Sequence, residues 1–205
     1  VDHDVAIEML KQVLADSIDH KMHRNSAGTY TNLAMIHLDL LRLAEAEQFI
    51  AAGLKYCQER DLDGVAGILA VWQAFAQTCR GEWETGRIAL EQILTAPDLS
   101  HFRRNPATAA LIRLYSRQGN FARAGELVAT YKPAPGPLTR QAVMFCPIIE
   151  YAWLSGDRAR FEAMIAEYYP KLEAAQVEAY AGELAYWQWQ AGEPVVNHDW
   201  LARPY

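Results

Sequence analysis

Strand signals are nearly absent from this sequence of 205 residues. No alternating run of Val, Ile and Thr is bounded by Asn-Gly or Asp-Gly turns, although a β-protein would contain several such runs. Long apolar runs are also missing, since none approaches the roughly 18 residues that a membrane-spanning helix needs. The opening residues, VDHD, do not form a signal-peptide pattern. We therefore expect an all-α protein located in the cytoplasm.

An excess of basic charge is missing as well. The 19 Lys and Arg residues are outnumbered by 25 Asp and Glu residues, which leaves a net charge of −6 and an isoelectric point of about 5.5. The basic residues are scattered, and the tightest pair, Arg103-Arg104, stands alone. Because binding to a nucleic-acid backbone requires a basic stripe, we expect no direct nucleic-acid binding by this segment.

Cysteine is scarce, and the residues present, Cys57, Cys79 and Cys146, are an odd number and far apart in the sequence. Their apolar helical contexts favour free, buried thiols over disulfides. Catalytic motifs are missing too: there is no G-x-S-x-G elbow, no H-E-x-x-H pair and no G-x-x-x-x-G-K-[ST] phosphate loop. Nothing in the sequence supplies a partner base for Cys57. We expect no enzymatic activity, no catalytic residues and no cofactor.

Histidines are few, and two of them are predicted to share one helical face. His20 and His23, with Asp16 four residues before the first, could hold a divalent metal ion. Only two imidazoles and one carboxylate are local, however, and the stretch is polar. A solvated helix face is therefore the prediction, and no metal site is expected. His37 falls in a helix position usually filled by a tyrosine, so we expect it to pack between helices.

What the sequence does contain is helical spacing. The stretch VAIEMLKQVLADSI carries apolar residues at i, i+3, i+4 and i+7, the pattern of an amphipathic helix. Similar patterns recur along the chain and are separated by short polar breaks. They predict ten helices, over residues 4–23, 27–40, 43–59, 63–80, 84–95, 106–118, 121–131, 138–154, 158–169 and 174–191.

The breaks between helices recur with a regular period. CRGEWETG, RQGNFARAG, LSGDRARF and QAGEP each place a glycine just after a helix, where the left-handed conformation costs glycine little. LLRLAEAE aligns with these turns but has Leu41 in the glycine position. The equivalent residues Leu41, Gly81, Gly119, Gly156 and Gly192 are spaced by 40, 38, 37 and 36 residues. Two helices per period of this length indicate an α-solenoid.

Positions counted from these turns fit the tetratricopeptide pattern, in which a small residue allows paired helices to approach closely. Seven residues before the turn stand Ala34, Ala74, Ile112, Ile149 and Ala185. Five residues beyond it stand Ala46, Gly86, Ala124 and Phe161. Pro133 and Pro170 are predicted to close the third and fourth repeats. We expect a tetratricopeptide-like α-solenoid of about ten antiparallel helices, with an irregular helical bundle as the alternative.

Three stretches are more specific than a generic repeat pattern: TYTNLAMIHLDL, GLKYCQERDLDG and GELAYWQWQAGEP. They resemble the helical-repeat region of bacterial LuxR-type transcriptional regulators that carry an AAA ATPase, a region that also occurs beside cyclase-type signalling modules. The match is carried by YTNLA at 30–34, ERDLD at 59–63 and GELAYW at 182–187, and it extends loosely over 25–194.

The resemblance implies a sensing or interaction region rather than the ATPase or the DNA-binding module of such regulators. No recognition helix surrounded by basic charge is visible in the sequence. We expect one helical-repeat domain over residues 1–205, with a leading helix at 1–24, repeats at 25–194 and a tail at 195–205. We also expect the chain to be a fragment of a longer regulator.

In a tetratricopeptide array the first helix of each pair lines the concave face. Positions ten, six and three residues before each turn give the binding candidates Thr31, Met35, Phe75, Arg113, Glu150, Trp153, Tyr186 and Trp189. Such a groove suits a protein or peptide partner held by aromatic anchors. The alternatives are a small-molecule effector, a dimerisation surface, or a face covered by flanking domains. Trp72, Trp83 and Trp187 are predicted to pack between helices.

Overall fold

The computed structural model describes residues 3–97, 99–131 and 136–193, and over these ranges the chain is helical, with no strand. Ten helices follow one another along the described residues. They are α1 (His3–Asp19), α2 (His23–Asp39), α3 (Leu43–Gln58), α4 (Asp63–Cys79), α5 (Trp83–Leu94), α6 (His101–Arg117), α7 (Phe121–Thr130), α8 (Leu138–Ser155), α9 (Arg158–Ala174) and α10 (Glu178–Gln190). The prediction of an all-α helical repeat arrangement is confirmed.

Most of these helices end in the same way, on a residue with left-handed backbone conformation. At the end of α2, Leu41 has φ 54°, its N–H donates to the carbonyl of Leu38 at 3.0 Å, and the N–H of Arg42 donates to that of His37 at 2.8 Å. This pair of hydrogen bonds is the Schellman motif, which satisfies carbonyls that a helix end leaves without partners. The left-handed residues of these turns are Lys21, Leu41, Asp61, Gly81, Gly119, Gly156, Gln176 and Gly192.

Several helix boundaries differ from the prediction by four or five residues, among them the start of α2 at His23 and the start of α10 at Glu178. The first helix ends at Asp19 rather than at residue 23, because Lys21 takes the left-handed conformation (φ 55°). Pro170 does not close the fourth repeat but lies inside α9, which continues to Ala174 and buries Leu172. Pro106 likewise lies inside α6, which begins at His101 instead of residue 106. Pro133 lies outside the described residues.

The chain divides into two compact units, residues 1–103 and 104–205. In the first unit, small residues allow α2, α3 and α4 to approach closely. A Cβ atom at Gly53 of α3 would lie 2.8 Å from Leu69 Cδ1 and 2.8 Å from Tyr30 Cβ, so only glycine fits there. The core of this unit contains Ala27, Ala34, Leu38, Ala46, Ile50, Leu69, Trp72 and Ala76.

In the second unit the core lies among α8, α9 and α10. It contains Ala142, Phe145, Cys146, Ile149, Ala152, Phe161, Leu172, Leu184, Ala185 and Trp187. The position seven residues before each turn is buried in both units, since none of its five residues is more than 1% exposed. The repeat register read from the sequence therefore identified positions at which helices pack.

Two side chains that were predicted to be buried, Trp83 and Cys79, are exposed. Trp83 is 43% exposed, so the prediction that it packs between helices is wrong, whereas Trp72 and Trp187 are buried as predicted. Trp83 is the first residue of α5, at a helix end where few side chains surround it. Cys57 and Cys146 are buried, but Cys79 is exposed at the end of α4.

A helix that spans a membrane must be both long and apolar. Across the part of the chain that the structure describes, none is both long and apolar enough to cross a bilayer.

Candidate functional site

The binding candidates of the first unit are half-buried. Met35 and Phe75 pack against the core formed by α2, α3 and α4, and the ring of Phe75 meets Trp72 edge-on at 6.4 Å. Thr31 donates its hydroxyl to the carbonyl of Ala27 at 3.2 Å. These side chains therefore contribute to packing within the unit while leaving part of their surface accessible.

The second unit brings together an ion cluster formed by Arg113, Arg117, Glu150 and Glu183. Arg113 of α6 donates from Nε to Oε2 of Glu150 on α8 at 2.8 Å, and its Nη2 donates to Oε1 of Glu183 on α10. Arg117 donates from Nε to Oε1 of the same Glu150 at 2.5 Å. Two guanidinium groups and two carboxylates thus connect α6, α8 and α10, with their formal charges balanced.

The two carboxylates of the ion cluster are largely shielded from water. The Glu150 side chain is 1% exposed and that of Glu183 is 12% exposed, whereas Arg117 is 53% exposed. Removing charges from water is costly unless each one is paired and hydrogen-bonded. Burial alone would lower the pKa of Arg113, but the charges of Glu183 and Glu150 raise its pKa above the ordinary value, so this guanidinium stays protonated. Burial raises the pKa of Glu183, although the charge of Arg113 opposes that shift.

Cys146 lies close enough to the ion cluster to interact with it electrostatically. Burial, followed by the negative charge of Glu183, raises the pKa of this thiol well above its ordinary value, and Arg113 only partly opposes the shift. Because the thiolate is the nucleophilic form of cysteine, a buried neutral thiol is poorly reactive. Cys146 therefore packs in the core of the second unit as a small apolar side chain.

The ion cluster gives Arg113 and Glu150 a role that the repeat register did not reveal. Both were predicted to line a groove, and in the structure they bind each other and are not both open to a ligand. Sequence reasoning missed Glu183 and Arg117, which complete the ion cluster. The available signal was the spacing in GELAYWQW, where Glu183, Tyr186 and Trp189 follow at three-residue steps and share one side of α10.

Aromatic side chains follow Glu183 along α10. The rings of Tyr186 and Trp189 are 6.2 Å apart, and Trp189 is 56% exposed. Tyr186 also meets Trp187 edge-on at 5.0 Å, and Trp187 is buried in the core. Trp153 of α8 is half-buried and packs against Phe161 at 5.3 Å. Trp189 is therefore the outermost aromatic residue of the candidates, and Tyr186 connects it to the core.

His20 and His23 each lie within hydrogen-bond distance of another group of the chain. The Nδ1 atom of His20 lies 2.8 Å from the carbonyl oxygen of Asp16, and Nδ1 of His23 lies 2.9 Å from Oη of Tyr56. The turn after α1 separates the two, so they do not share a helical face. Within the described ranges, no group of three or more His, Cys, Asp or Glu side chains could hold a metal ion.

His37 is packed between helices, as its position in the repeat predicts. It is 4% exposed, and its ring stacks on Phe49 of α3 at 5.3 Å with an interplanar angle of 18°. Neither ring nitrogen has a hydrogen-bond partner among the described residues. Burial is the main cause that lowers the pKa of His37.

Comparison with known protein families, with curated proteins and with solved structures found no match to this chain.

Proposed function

We propose that this chain is a non-catalytic protein-interaction and signal-sensing module of a bacterial transcriptional regulator of the LuxR type. The observation that carries the proposal is the surface of α10, where the exposed Trp189 lies beside Tyr186. The same helix contributes Glu183 to the ion cluster. The choice of this class of regulator rests on the resemblance of the three repeat stretches to its helical-repeat region.

The chemistry of this surface favours a peptide or protein partner. A large aromatic side chain that is exposed yet supported from below can bury much apolar area without losing much rotamer freedom, and such residues dominate the energy of many interfaces. Tyr186 supports Trp189 in this way, because it contacts both Trp189 and the buried Trp187. An amphipathic helix or an extended segment with an apolar anchor matches this surface.

The ion cluster suggests how partner binding is transmitted. Arg113 bonds to α8 through Glu150 and to α10 through Glu183, so a change in the position of one helix alters the contacts of the other two. A partner that binds one arrangement of these helices more tightly shifts the equilibrium toward that arrangement, and domains attached to the chain respond.

A non-catalytic role is supported by the chemistry of the described side chains. The buried Cys146 is a poor nucleophile because its pKa is raised. Glu183, whose pKa is raised by burial, is already paired with Arg113 in the ion cluster.

The test uses a photo-crosslinking amino acid at position 189 in the native cell, with the same amino acid at position 83 as a control. Trp83 is a matched control because it is also an exposed tryptophan, on a helix of the first unit. The partner captured from position 189 is then purified, and its affinity for the unmodified chain is measured by isothermal titration calorimetry.

We expect Trp189→Ala to weaken that affinity at least about tenfold, as for an interface hot spot, and Trp83→Ala to leave it unchanged. Equal affinities for Trp189→Ala and the unmodified chain would remove α10 as the binding surface. Identical cross-linked products from both positions would have the same consequence.

A further inference from the structure

A cavity of about 380 Å³ lies among α7, α8 and α9 of the second unit, away from the residues of the ion cluster. The volume falls within the range of about 300–1,000 Å³ that is typical of small-molecule sites. Its lining includes Val128, Tyr131, Phe145, Arg160, Met164 and Tyr168.

One of the helices that line the cavity, α7, is short. After the left-handed turn, α3 of the first unit runs for 16 residues, whereas its counterpart α7 runs for 10. The residues of α3 that have no helical counterpart in α7 are those from Gly53 to Gln58, and they include the buried Tyr56 and Cys57. In the second unit, Tyr131 follows the end of α7 with an extended backbone and is one of the residues that line the cavity.

Aromatic rings form the walls of this cavity. The rings of Phe145 and Tyr168 stack on each other at 4.1 Å with an interplanar angle of 17°, which holds both side chains on one wall. Met164 adds a polarisable thioether, a group that packs favourably against aromatic rings. Burial, with a contribution from Tyr168, raises the pKa of Tyr131, so its hydroxyl stays neutral and can donate a hydrogen bond. These aromatic and thioether side chains make the wall apolar, and an aromatic ring can pack against it.

The charged residue of the lining indicates which ligand charge the cavity favours. Arg160 of α9 is the basic residue of the lining, and no acidic side chain is among the described residues that line the cavity. Nε of Arg160 lies 3.2 Å from Oδ2 of Asp157, whose other oxygen accepts the N–H of Arg160 as the cap of α9. The Nη groups of Arg160 can still bind a carboxylate in the bidentate manner typical of arginine.

We propose that the cavity is a binding site for a small aromatic carboxylate of one or two rings. The ring lies against Phe145, Tyr168 and Met164, and the carboxylate binds Arg160. This site is separate from the α10 surface and does not depend on the function proposed for it.

The experiment titrates the whole chain with naphthalene-2-carboxylate and, separately, with uncharged naphthalene-2-carboxamide. Methionine methyl groups labelled with ¹³C are observed by NMR, and Met164→Leu assigns the signal of the residue in the cavity. Met9 and Met22 serve as internal controls because they are 66% and 49% exposed in the other unit.

We expect the carboxylate to shift the Met164 signal saturably while the signals of Met9 and Met22 stay in place. The carboxamide should bind at least about tenfold more weakly, since it cannot form the charge-assisted contact with Arg160. Arg160→Gln should remove this difference. Arg158→Gln should retain it, because that side chain is 62% exposed and pairs with Glu162 instead.

Ala129→Trp, at the exposed rim of the cavity, should abolish the binding of both probes while circular dichroism shows an unchanged fold. The proposal is overturned by the absence of a saturable Met164 shift at millimolar carboxylate. It is equally overturned by equal affinities for the two probes, or by an Arg160→Gln variant that binds the carboxylate as tightly as the unmodified chain.

Discussion

Arg113 of α6 and Glu150 of α8 are 37 positions apart in the sequence and meet at 2.8 Å, where the Glu150 carboxylate is 1% exposed. Glu150 receives hydrogen bonds from Arg117 as well, so one buried carboxylate holds two guanidinium groups of α6. Unpairing a buried charge is far more damaging than losing an exposed ion pair. The stability of the second unit therefore depends strongly on this one carboxylate.

Replacement of Glu150 by glutamine should test that dependence. We expect Glu150→Gln to lower the free energy of unfolding by about 3 kcal/mol, because Arg113 loses one of its two carboxylate partners inside the unit. Urea denaturation followed by circular dichroism measures the change. The control is Glu162→Gln, whose 56% exposed side chain pairs with Arg158 at 2.7 Å and should cost less than about 1 kcal/mol. Similar losses for the two variants would contradict the buried role of Glu150.

His37 should make stability depend on pH. Since burial lowers its pKa below the unfolded value of 6.5, the unfolded chain binds a proton more readily than the folded one. The contribution of neutral His37 is thus fully present above pH 6.5 and is lost as pH falls toward the lowered pKa of the folded state.

His37→Phe preserves the stacking on Phe49 and removes two ring nitrogens that lack partners among the described residues. We expect the variant to be more stable by about 1 kcal/mol at neutral pH, with a larger advantage below pH 6.5. Urea unfolding on both sides of that pH measures the difference, and His20→Phe, at an exposed position, provides the control. An advantage that does not change with pH would show that His37 is not the titrating group.

The left-handed turns should respond in opposite directions to substitution. Leu41 has φ 54° with its side chain 47% exposed, so Leu41→Gly relieves backbone strain while losing little packing. We expect a gain of about 1 kcal/mol in the free energy of unfolding. Gly81 has φ 84° at the equivalent turn, and Gly81→Ala should cost a similar amount. Thermal melts of the two variants give the comparison, and shifts in the same direction would contradict the equivalence of the turns.

Close helix approach at Gly86 should make that position intolerant of a methyl group. An added Cβ would lie 2.6 Å from Cγ2 of Thr78 and 2.9 Å from the carbonyl oxygen of Ala74. We expect Gly86→Ala to cost about 1–3 kcal/mol because the backbone of α4 must move. Gly28, within α2, has no such neighbour within 4 Å, so Gly28→Ala should instead stabilise the chain by about 0.5–1 kcal/mol. Destabilisation of equal size at both positions would argue against the close approach.

The repeat register could be read from the sequence because it depends on local spacing. Ala34 and Ala185 are buried where the count from the turns places them, since a helix fixes which residues share a face. The break around Asp61 was predicted between 43–59 and 63–80, although no glycine marks it. The turns at Lys21 and Gln176 were missed because no glycine marks them, and the two hydrogen bonds of each form without one.

The ion cluster and the cavity could not be read in the same way. Spacing places Arg113 on a helix face, but it does not tell which carboxylate of another helix its guanidinium reaches. The short α7 was predicted closely, at 121–131 against the observed Phe121–Thr130. The cavity depends on how α8 and α9 pack beside α7, and the pattern of residues within one helix does not predict that packing.

The turns described above have a consequence for how this chain tolerates insertions. The first four helices contain 17, 17, 16 and 17 residues, and a left-handed residue ends each of them. One extra residue inside such a helix would rotate everything beyond it by about 100° relative to the neighbouring helix. The small residues would then face water and the charged ones would face the core. In the first unit, helix length is therefore more tightly constrained than the identity of most of the residues that compose it.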